Sequence, residues 1–406
     1  MDIYLVGGAV RDSLMGITPK DLDYVVTGST PEEMISLGYK EVGAEFPVFL
    51  HPKTGNEFAL ARKEYKVGQG YKGFKCSFGP DVTLKEDLIR RDLTINSMAQ
   101  DLRTGQIIDP FGGRIDLKNS RIRHTSDAFG EDPLRVLRAA RFASQLGFYI
   151  DRDTLDLMTK MCKYGEVNYL TPERIWIEIE KAIKTDRPRL FFRYLYECKA
   201  LRIILPELER LCGVPQKIEY HPEVCTWEHT MLVLQEATNI TKDPTIRLAA
   251  LFHDLGKGTT PEEELPAHHD HETRSADMVK CISKRLKLPN EYADLAYISA
   301  KFHIKRVTSM SPKGIVKMMK EMDAYRKPDR FRKFLLVTEA DHHGHGFEER
   351  RPFPEKDIWD KILKASLNIN NREVIGEEER THVIQQLIHK ERLRIVKGII
   401  NVKETD

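Results

Sequence analysis

Two aspartates stand two residues apart at Asp21 and Asp23, soon after the run "VGGAVRDSLMG" at Val6 to Gly16. On a strand, residues two apart point to one face, so both carboxylates would project together with Leu22 behind them. Like charges held that close are costly unless a cation lies between them. Hard Mg2+, which takes oxygen ligands and substrate phosphates, suits the pair. Gly7 and Gly8 have no Cβ and let the backbone approach a triphosphate, and Arg11 just beyond them is placed to reach a phosphate oxygen. A lone Asp-x-Asp or Gly-Gly is commonplace. What carries the signal is the order of strand, Gly-Gly, arginine-bearing helix and carboxylate pair. Glu57, opening "EFALAR", is a weaker third carboxylate, since an exposed strand glutamate explains it as well.

A second set is built from histidine and aspartate: His229, the doublet His253-Asp254, "HHDH" at His268 to His271, and Asp341. The doublet ends the apolar stretch "TIRLAALFHDLGKG", where it cannot be solvated on all sides, and imidazole beside carboxylate suits a divalent transition metal. Any one of these histidines alone reads as an ordinary hydrogen-bonded core residue. His271 and His303 are second-tier ligands, and His342, His343 and His345 read as a polar loop.

The elements that must hold these groups change character along the chain. Over roughly the first 125 residues "IYLV", "DLDYVV" and "EFALAR" read as strands, and "GQIIDPFGG" as a strand and turn. Thr83 with Glu86 predicts a capping box opening a helix that carries "EDLIRRDLTINSMAQDL". From about Asp132 the strand signal ends. Asp132-Pro133 and Thr171-Pro172 are helix starts, "TIRLAALFHDLGKG" is a helix stopping at Gly256, and "ERTHVIQQLIHKERLRIVKGII" is helical. That last stretch is expected to pack on the body or to mediate self-association.

A chain of 406 residues predicts two to four domains. With 41% hydrophobic and 31% charged residues, and no apolar run near the roughly 20 residues of a membrane span, it reads as soluble with no membrane partner. No basic stretch followed by an apolar core opens it, so no secretory signal is expected. The six cysteines form no C-x-x-C pair and read as reduced thiols of a cytoplasmic protein. A net charge of +2 excludes a generic polyanion binder. An RNA partner would have to be met by local clusters such as "TDRPRLFFR" (Thr185 to Arg193) or "RKPDRFRK" (Arg326 to Lys333).

In order along the chain, "LVGGAVRD…KDLDYVV", "RRDLTINSMAQD", "IIDPFGG" and "EDPLRVLRAARFA" resemble the head of the DNA polymerase β superfamily. In particular they resemble the class II tRNA nucleotidyltransferases and bacterial poly(A) polymerases. The H…HD…D series is similar to the HD phosphohydrolase superfamily. Taken over the whole length, the chain is similar to bacterial CCA-adding enzymes that carry an HD domain. The resemblance implies an α+β multidomain fold: a nucleotidyltransferase α/β head (1–126), an all-helical neck and body (127–222), an HD-type helical domain (223–345) and a helical tail (346–406). The protein would be a monomer or homodimer.

By the same resemblance, Asp21 and Asp23 hold Mg2+ and are catalytic, and Gly8, Arg11, Arg91, Asp92, Arg138 and Arg141 bind the nucleotide. Asp132 and Arg135 read its base. Their chemistry fits: three apart on a helix, they share a face, and a carboxylate only accepts hydrogen bonds whereas a guanidinium only donates. Cytosine and adenine pair an exocyclic amine with a ring-nitrogen acceptor; uracil and guanine present the reverse. The resemblance makes His229, His253, Asp254 and Asp341 the metal ligands, with Ni2+ or another divalent transition metal. The expected activity is addition and repair of the 3′-CCA of tRNA from CTP and ATP, with phosphohydrolysis at the second centre. The rival readings are a bacterial poly(A) polymerase, or an HD phosphohydrolase whose head only binds RNA.

Overall fold

A computed structural model of the chain describes residues 1–42, 48–66, 74–346, 352–376 and 378–401. It divides into two compact units, Met1–Ile204 and Leu205–Asp406.

The first unit is organised by a seven-stranded sheet in the order β3-β4-β5-β2-β1-β8-β9. These strands are β1 (Asp2–Val6), β2 (Asp23–Thr27), β3 (Lys40–Val42), β4 (Val48–Leu50), β5 (Glu57–Leu60), β8 (Ala99–Asp101) and β9 (Ile107–Ile108). A hairpin of β6 (Arg62–Lys66) and β7 (Phe74–Phe78) stands apart from it. Alternation along β2 turns Val26 into a buried cluster with Met34, Phe49, Phe58 and Leu60, and Val25 into another with Val6, Ala61 and Leu88. Helix Gly8–Leu14 is anchored by Ala9 and Val10, which pack with Leu5 and Met98. The sheet is thus covered where the helix leaves it, and the Gly7-Gly8 bend is fixed at the edge of a solid core.

Three expectations are corrected. Asp21 does not lie on the strand with Asp23. β1 ends at Val6, which pairs with Asp23, so no ladder remains for Leu22 and Asp21, and Leu22 is exposed. The helix opened by the Thr83–Glu86 capping box runs only from Leu84 to Ile89. After it the backbone breaks into a 3₁₀ turn at Thr94–Asn96 and then β8. A broken backbone here is stabilised by side chains: Asp92 accepts from the Leu93 amide at 2.9 Å, and Arg135 donates to the Arg90 carbonyl at 2.6 Å. Strand structure also persists past Asp132, because β11 (Tyr149–Ile150) pairs in parallel with β10 (Arg121–Ile122). Beyond these short strands the rest of the unit is helical, including Leu134–Leu146, Pro172–Ile183 and Pro188–Glu197.

In the second unit, helices Thr226–Ile240, Pro244–Phe252, His271–Leu286, Asn290–Phe302 and Pro328–His343 surround a core that includes Val233, Leu248, Leu251, Ile298 and Leu335. Arg247, fully buried, donates to the Thr241 and Thr238 carbonyls at 2.9 and 3.2 Å, tying one helix end to the next. The terminal Thr381–Asn401 segment is a helix, as its sequence predicts. Among the described residues no helix is long and apolar enough to cross a membrane, and the five described cysteines are free thiols; the Cys76 side chain lies outside the described residues.

One buried carboxylate braces the segment that carries Asp92. Asp116 accepts from Thr94 Oγ1 at 2.6 Å, Arg123 Nε at 2.9 Å and Arg121 Nε at 2.7 Å. Asp116→Ala leaves two guanidiniums and a hydroxyl without their acceptor, a loss on the order of 3 kcal/mol once the partly exposed arginines rehydrate. The thermal transition of the first unit should fall by about 6–10 °C. An unchanged transition would show that Asp116 does not hold this segment.

Candidate active sites

The ten residues to which the resemblance assigns the nucleotide and its metal all line one cleft of about 550 Å3 in the first unit. Gly8, Arg11, Asp21, Asp23, Arg91, Asp92, Asp132, Arg135, Arg138 and Arg141 are joined there by Gly7, Arg90, Asn96, Phe142 and Lys181. Seven cationic side chains face four carboxylates, so the cleft is built for an anion. Asp21 and Asp23, with Arg11 and Phe142, also border an adjoining cleft of about 430 Å3. Both are exposed, and among the described residues neither carboxylate has a side-chain partner, which leaves their oxygens for a cation. Glu57 neighbours Asp23 in register on β5 and is exposed, but it does not line the cleft.

Each arginine is held by a specific acceptor. Arg11 is 4% exposed; its Nη1 donates to Asn96 Oδ1 at 2.7 Å, and its Nε and Nη2 reach Asp12 Oδ1 at 2.9 and 2.7 Å. Arg91 pairs with Asp87 at 3.1 Å, Arg138 Nε with Asp92 at 2.8 Å, and Arg141 Nε with Glu178 at 2.5 Å. The Arg141, Arg11 and Arg138 guanidiniums lie 4.1, 5.0 and 5.5 Å from the Phe142 ring centroid, within cation–π range. Gly7 adopts φ +70°, and a Cβ there would come to 3.2 Å from Arg91 Nη1, so both conformation and space call for glycine. Burial disfavours charge on Asp92, but Arg138 and a hydrogen bond from Asn96 outweigh it and hold the carboxyl below its ordinary range.

The Asp132–Arg135 pair is similarly immobilised. Asp132 Oδ1 accepts from the Leu134 amide at 3.0 Å, and its Oδ2 meets Arg174 at 3.1 Å. Arg135 donates through Nη1 to the Ala128 carbonyl at 2.6 Å and through Nη2 to the Arg90 carbonyl. Asn96, Arg174 and Glu178 were not singled out in the sequence, because only tertiary contact brings them to these partners, and Lys181, which lines the cleft, was likewise not singled out. The two basic runs differ. Arg189 is exposed, and Arg193 pairs with Glu197 at 2.8 Å, whereas Arg330, Arg332 and Lys333 are tied to Asp294, Asp329 and Asp243.

In the second unit His229, His253, Asp254 and Asp341 converge, all of them buried. Asp341 Oδ1 is 3.2 Å from His229 Nε2 and 3.4 Å from His253 Nε2; Asp254 Oδ2 is 3.2 Å from His253 Nε2 and 3.8 Å from His229 Nε2. The Nδ1 of His253 faces the Ala250 carbonyl at 2.7 Å, which fixes the proton there and leaves Nε2 as a bare lone pair. His229 Nε2 and His253 Nε2 are buried without a hydrogen-bond partner, and with Asp254 they form a compact group that a divalent cation would satisfy. Burial opposes charge on Asp254, yet the Lys257 ammonium beside it keeps its carboxyl well below the usual carboxylate range.

Around these four, Lys257 Nζ meets Asp254 Oδ2 at 2.6 Å, and Glu223 Oε1 lies 3.0 Å from His229 Nδ1. Neither was singled out in the sequence. His342 and His343 close the Pro328–His343 helix instead of forming a loop. His345 stacks on His229 with ring centroids 5.3 Å apart and, through burial, is pushed down to about 4.

Fold and sites together define a two-centre protein, a nucleotidyltransferase-type head joined to an HD-type histidine–aspartate centre. Residues 3–123 match the family described as the Poly A polymerase head domain, 147–212 that described as "Probable RNA and SrmB- binding site of polymerase A", and 226–365 the HD domain. The chain is 48% identical over 405 residues to the multifunctional CCA protein of Thioalkalivibrio sulfidiphilus, covering 98% of each chain. It is 47% identical over 402 residues to that of Aliivibrio salmonicida, again covering 98% of each. Among solved structures, the Bacillus stearothermophilus CCA-adding enzyme in complex with CTP superposes with a TM-score of 0.62 at 24% identity, covering 98% of this chain and 89% of that one. The Thermotoga maritima CCA-adding enzyme complexed with tRNA superposes with a TM-score of 0.60 at 18% identity, covering 99% and 91%; these two likenesses establish the fold. The chain belongs to the multifunctional CCA protein family.

Because its carboxyl sits lower folded than unfolded, Asp92 adds stability that is complete above about pH 4 and is lost as the pH falls through its folded value. Asp92→Asn should therefore shrink the difference between the urea midpoints of the first unit measured at about pH 3 and about pH 7. An identical difference in the variant would remove Asp92 from that account.

Proposed function

We propose that the protein adds and repairs the 3′-terminal CCA of tRNA from CTP and ATP, releasing pyrophosphate, and that its second centre hydrolyses phosphoesters. One observation carries the first half: the Asp21–Asp23 pair, four arginines and the Asp132–Arg135 pair all open into one cleft. Asp21 and Asp23 would hold Mg2+. Bound there, the metal supplies neutralisation of charge on the attacking and departing oxygens of an in-line displacement at the α-phosphate. Arg11, Arg138 and Arg141 would face the phosphates, already fixed by their own acceptors, so little ordering remains when a nucleotide enters. Arg91 and Asp92 would position the ribose. The adjoining cleft, which shares the two carboxylates, would take the RNA 3′-end.

Base choice rests on Asp132 and Arg135. The carboxylate would accept from the exocyclic amine of cytosine or adenine, and the guanidinium would donate to the neighbouring ring nitrogen. Uracil or guanine would set acceptor against acceptor and donor against donor, at roughly 1–3 kcal/mol per unpaired group. The bonds from Arg135 to Ala128 and Arg90, and from Arg174 to Asp132, support this reading because they hold both groups at a set spacing.

In the second unit His229, His253, Asp254 and Asp341 would hold a divalent transition metal, nickel by family resemblance. The metal supplies Lewis acidity toward a phosphoryl oxygen. Lys257, buried beside Asp254 and donating to Gln216 Oε1 at 2.6 Å, would add positive charge near a bound phosphate. Cyclic 2′,3′-phosphates and 2′-phosphates are the expected substrates. A tRNA end blocked by a cyclic phosphate has no free 3′-hydroxyl, so hydrolysis would prepare it for the first centre.

Purified protein given CTP, ATP and a tRNA lacking its last three nucleotides should add C, C and A and stop; a run of A would favour a poly(A) polymerase instead. Asp21→Ala should lower addition on the order of 10³-fold while tRNA binding is kept. Treatment with a chelator followed by restored Mg2+ should abolish phosphohydrolysis and spare CCA addition. Joint loss would show that the chemistry is divided wrongly between the centres.

A further inference from the structure

The arginines of the nucleotide cleft are matched by protein acceptors, but four other cations of the first unit are not. Lys20, Arg114, Lys118 and Arg187 are exposed, and among the described residues none of their side chains has a hydrogen-bond or ion-pair partner. Lys20 lines the adjoining cleft, the one that shares Asp21 and Asp23. Arg114 and Lys118 line a third cleft of about 490 Å3, and among the described residues no carboxylate borders it. Its apolar lining is Leu14, Met15, Leu117 and Phe148, with Leu14 41% exposed. Apolar surface left open between unmatched cations marks a place where something binds.

The adjoining and third clefts are built on the same two segments. Asp12 and Ile17 line the adjoining cleft, while Leu14 and Met15, between them in the chain, line the third. At the end of helix Leu134–Leu146, Gln145 and Leu146 line the adjoining cleft and Phe148 the third. Gly147, the residue where one cleft gives way to the other, is crossed by the Arg187 guanidinium. A Cβ there would come to 2.7 Å from Arg187 Cζ, and φ is +72°, so glycine is what lets the cation lie at this point. The Arg187 main chain is pinned as well: its carbonyl accepts from Ser144 Oγ at 2.9 Å, and Ser144 Oγ lies 2.6 Å from Thr185 Oγ1. Within "TDRPRLFFR", Arg193 is taken up by Glu197, whereas Arg187 is held in place with its charge unspent.

We propose that the unpaired nucleotides just upstream of the RNA 3′-hydroxyl run from the adjoining cleft past Arg187 into the third cleft. Their phosphates meet Lys20, Arg187, Lys118 and Arg114, and one base lies on the apolar lining of Leu14, Leu117 and Phe148. The inference deepens the reading of the first centre given above and rests on it, since it starts from an RNA 3′-end beside Asp21 and Asp23. Fixed cations alternating with apolar surface suit a single strand, whose phosphates repeat along the chain and whose unstacked bases need a face to lie on. Continuity with the cleft that takes the 3′-end favours RNA over an acidic protein segment. The route would hold the strand by charge and by shape, without reading its sequence.

Full-length protein carrying Arg114→Ala, Lys118→Ala and Arg187→Ala together tests the route, because none of the three lines the nucleotide cleft. A tRNA lacking its last three nucleotides should bind about tenfold more weakly, and the slope of log affinity against log salt should flatten by about 2, as expected for three lost single-strand phosphate contacts. The KM for CTP should stay within about twofold of the parent. In the unaltered protein, 4-thiouridine placed next to the 3′-terminal nucleotide of that tRNA should photocrosslink to peptides holding Leu117 and Lys118 or Phe148. Unchanged affinity and slope, with the crosslink outside these peptides, overturns the route, leaves the third cleft to a partner other than RNA and does not touch CCA addition. Binding and crosslinking as expected, with no nucleotide added, would overturn the activity and keep the route. The crosslink is read in the parent, so it stands whether or not the triple variant folds.

Discussion

Several guanidiniums crowd the wall of the head cleft, three of them around the single ring of Phe142, and each is matched by a buried or half-buried acceptor behind it. Everything else in the first unit depends on that matching. Like charges this near repel strongly where water is thin, and an unpaired buried carboxylate would be as unwelcome as an unpaired arginine. Asp87, Asp92 and Glu178 resolve the conflict from the protein side and leave a positive face toward the cleft. A polyanion entering it meets donors already in place, while Asp21 and Asp23 keep their own oxygens free for a cation.

The second unit solves the opposite problem. Lone pairs are gathered there, held by imidazoles whose Nδ1 atoms face main-chain carbonyls or a carboxylate. The same device recurs at His253, His271 and His303, and at His229 through Glu223. A buried group of acceptors like this is stable only with something positive at its centre, and Lys257 supplies part of that charge. One chain thus carries an arginine cleft that asks for phosphate and a histidine–aspartate centre that asks for metal.

Much of this was legible in the sequence where chemistry follows local spacing. The Gly-Gly bend, the Pro133 and Pro172 helix starts and the His253-Asp254 doublet all report on themselves. Partners drawn in by tertiary contact did not: Asn96, Arg174, Glu178, Glu223 and Lys257 read as ordinary polar residues until the chain closes around them. Local propensity also failed where side chains override it. The Arg90–Asp101 stretch reads as helix, yet Arg135 and Asp92 satisfy its main chain in a broken form. Asp21 reads as strand, yet β1 ends too early to pair with it.

The central claim is that a rigid acceptor–donor pair, Asp132 and Arg135, reads the base of a triphosphate held in the arginine cleft. Equilibrium binding of CTP, ATP, UTP and GTP to the full-length protein with Mg2+ tests it most directly. The account predicts that CTP and ATP bind at least about tenfold more tightly than UTP and GTP, and that Asp132→Ala narrows the gap. Equal affinity for all four nucleotides in the unaltered protein would contradict it.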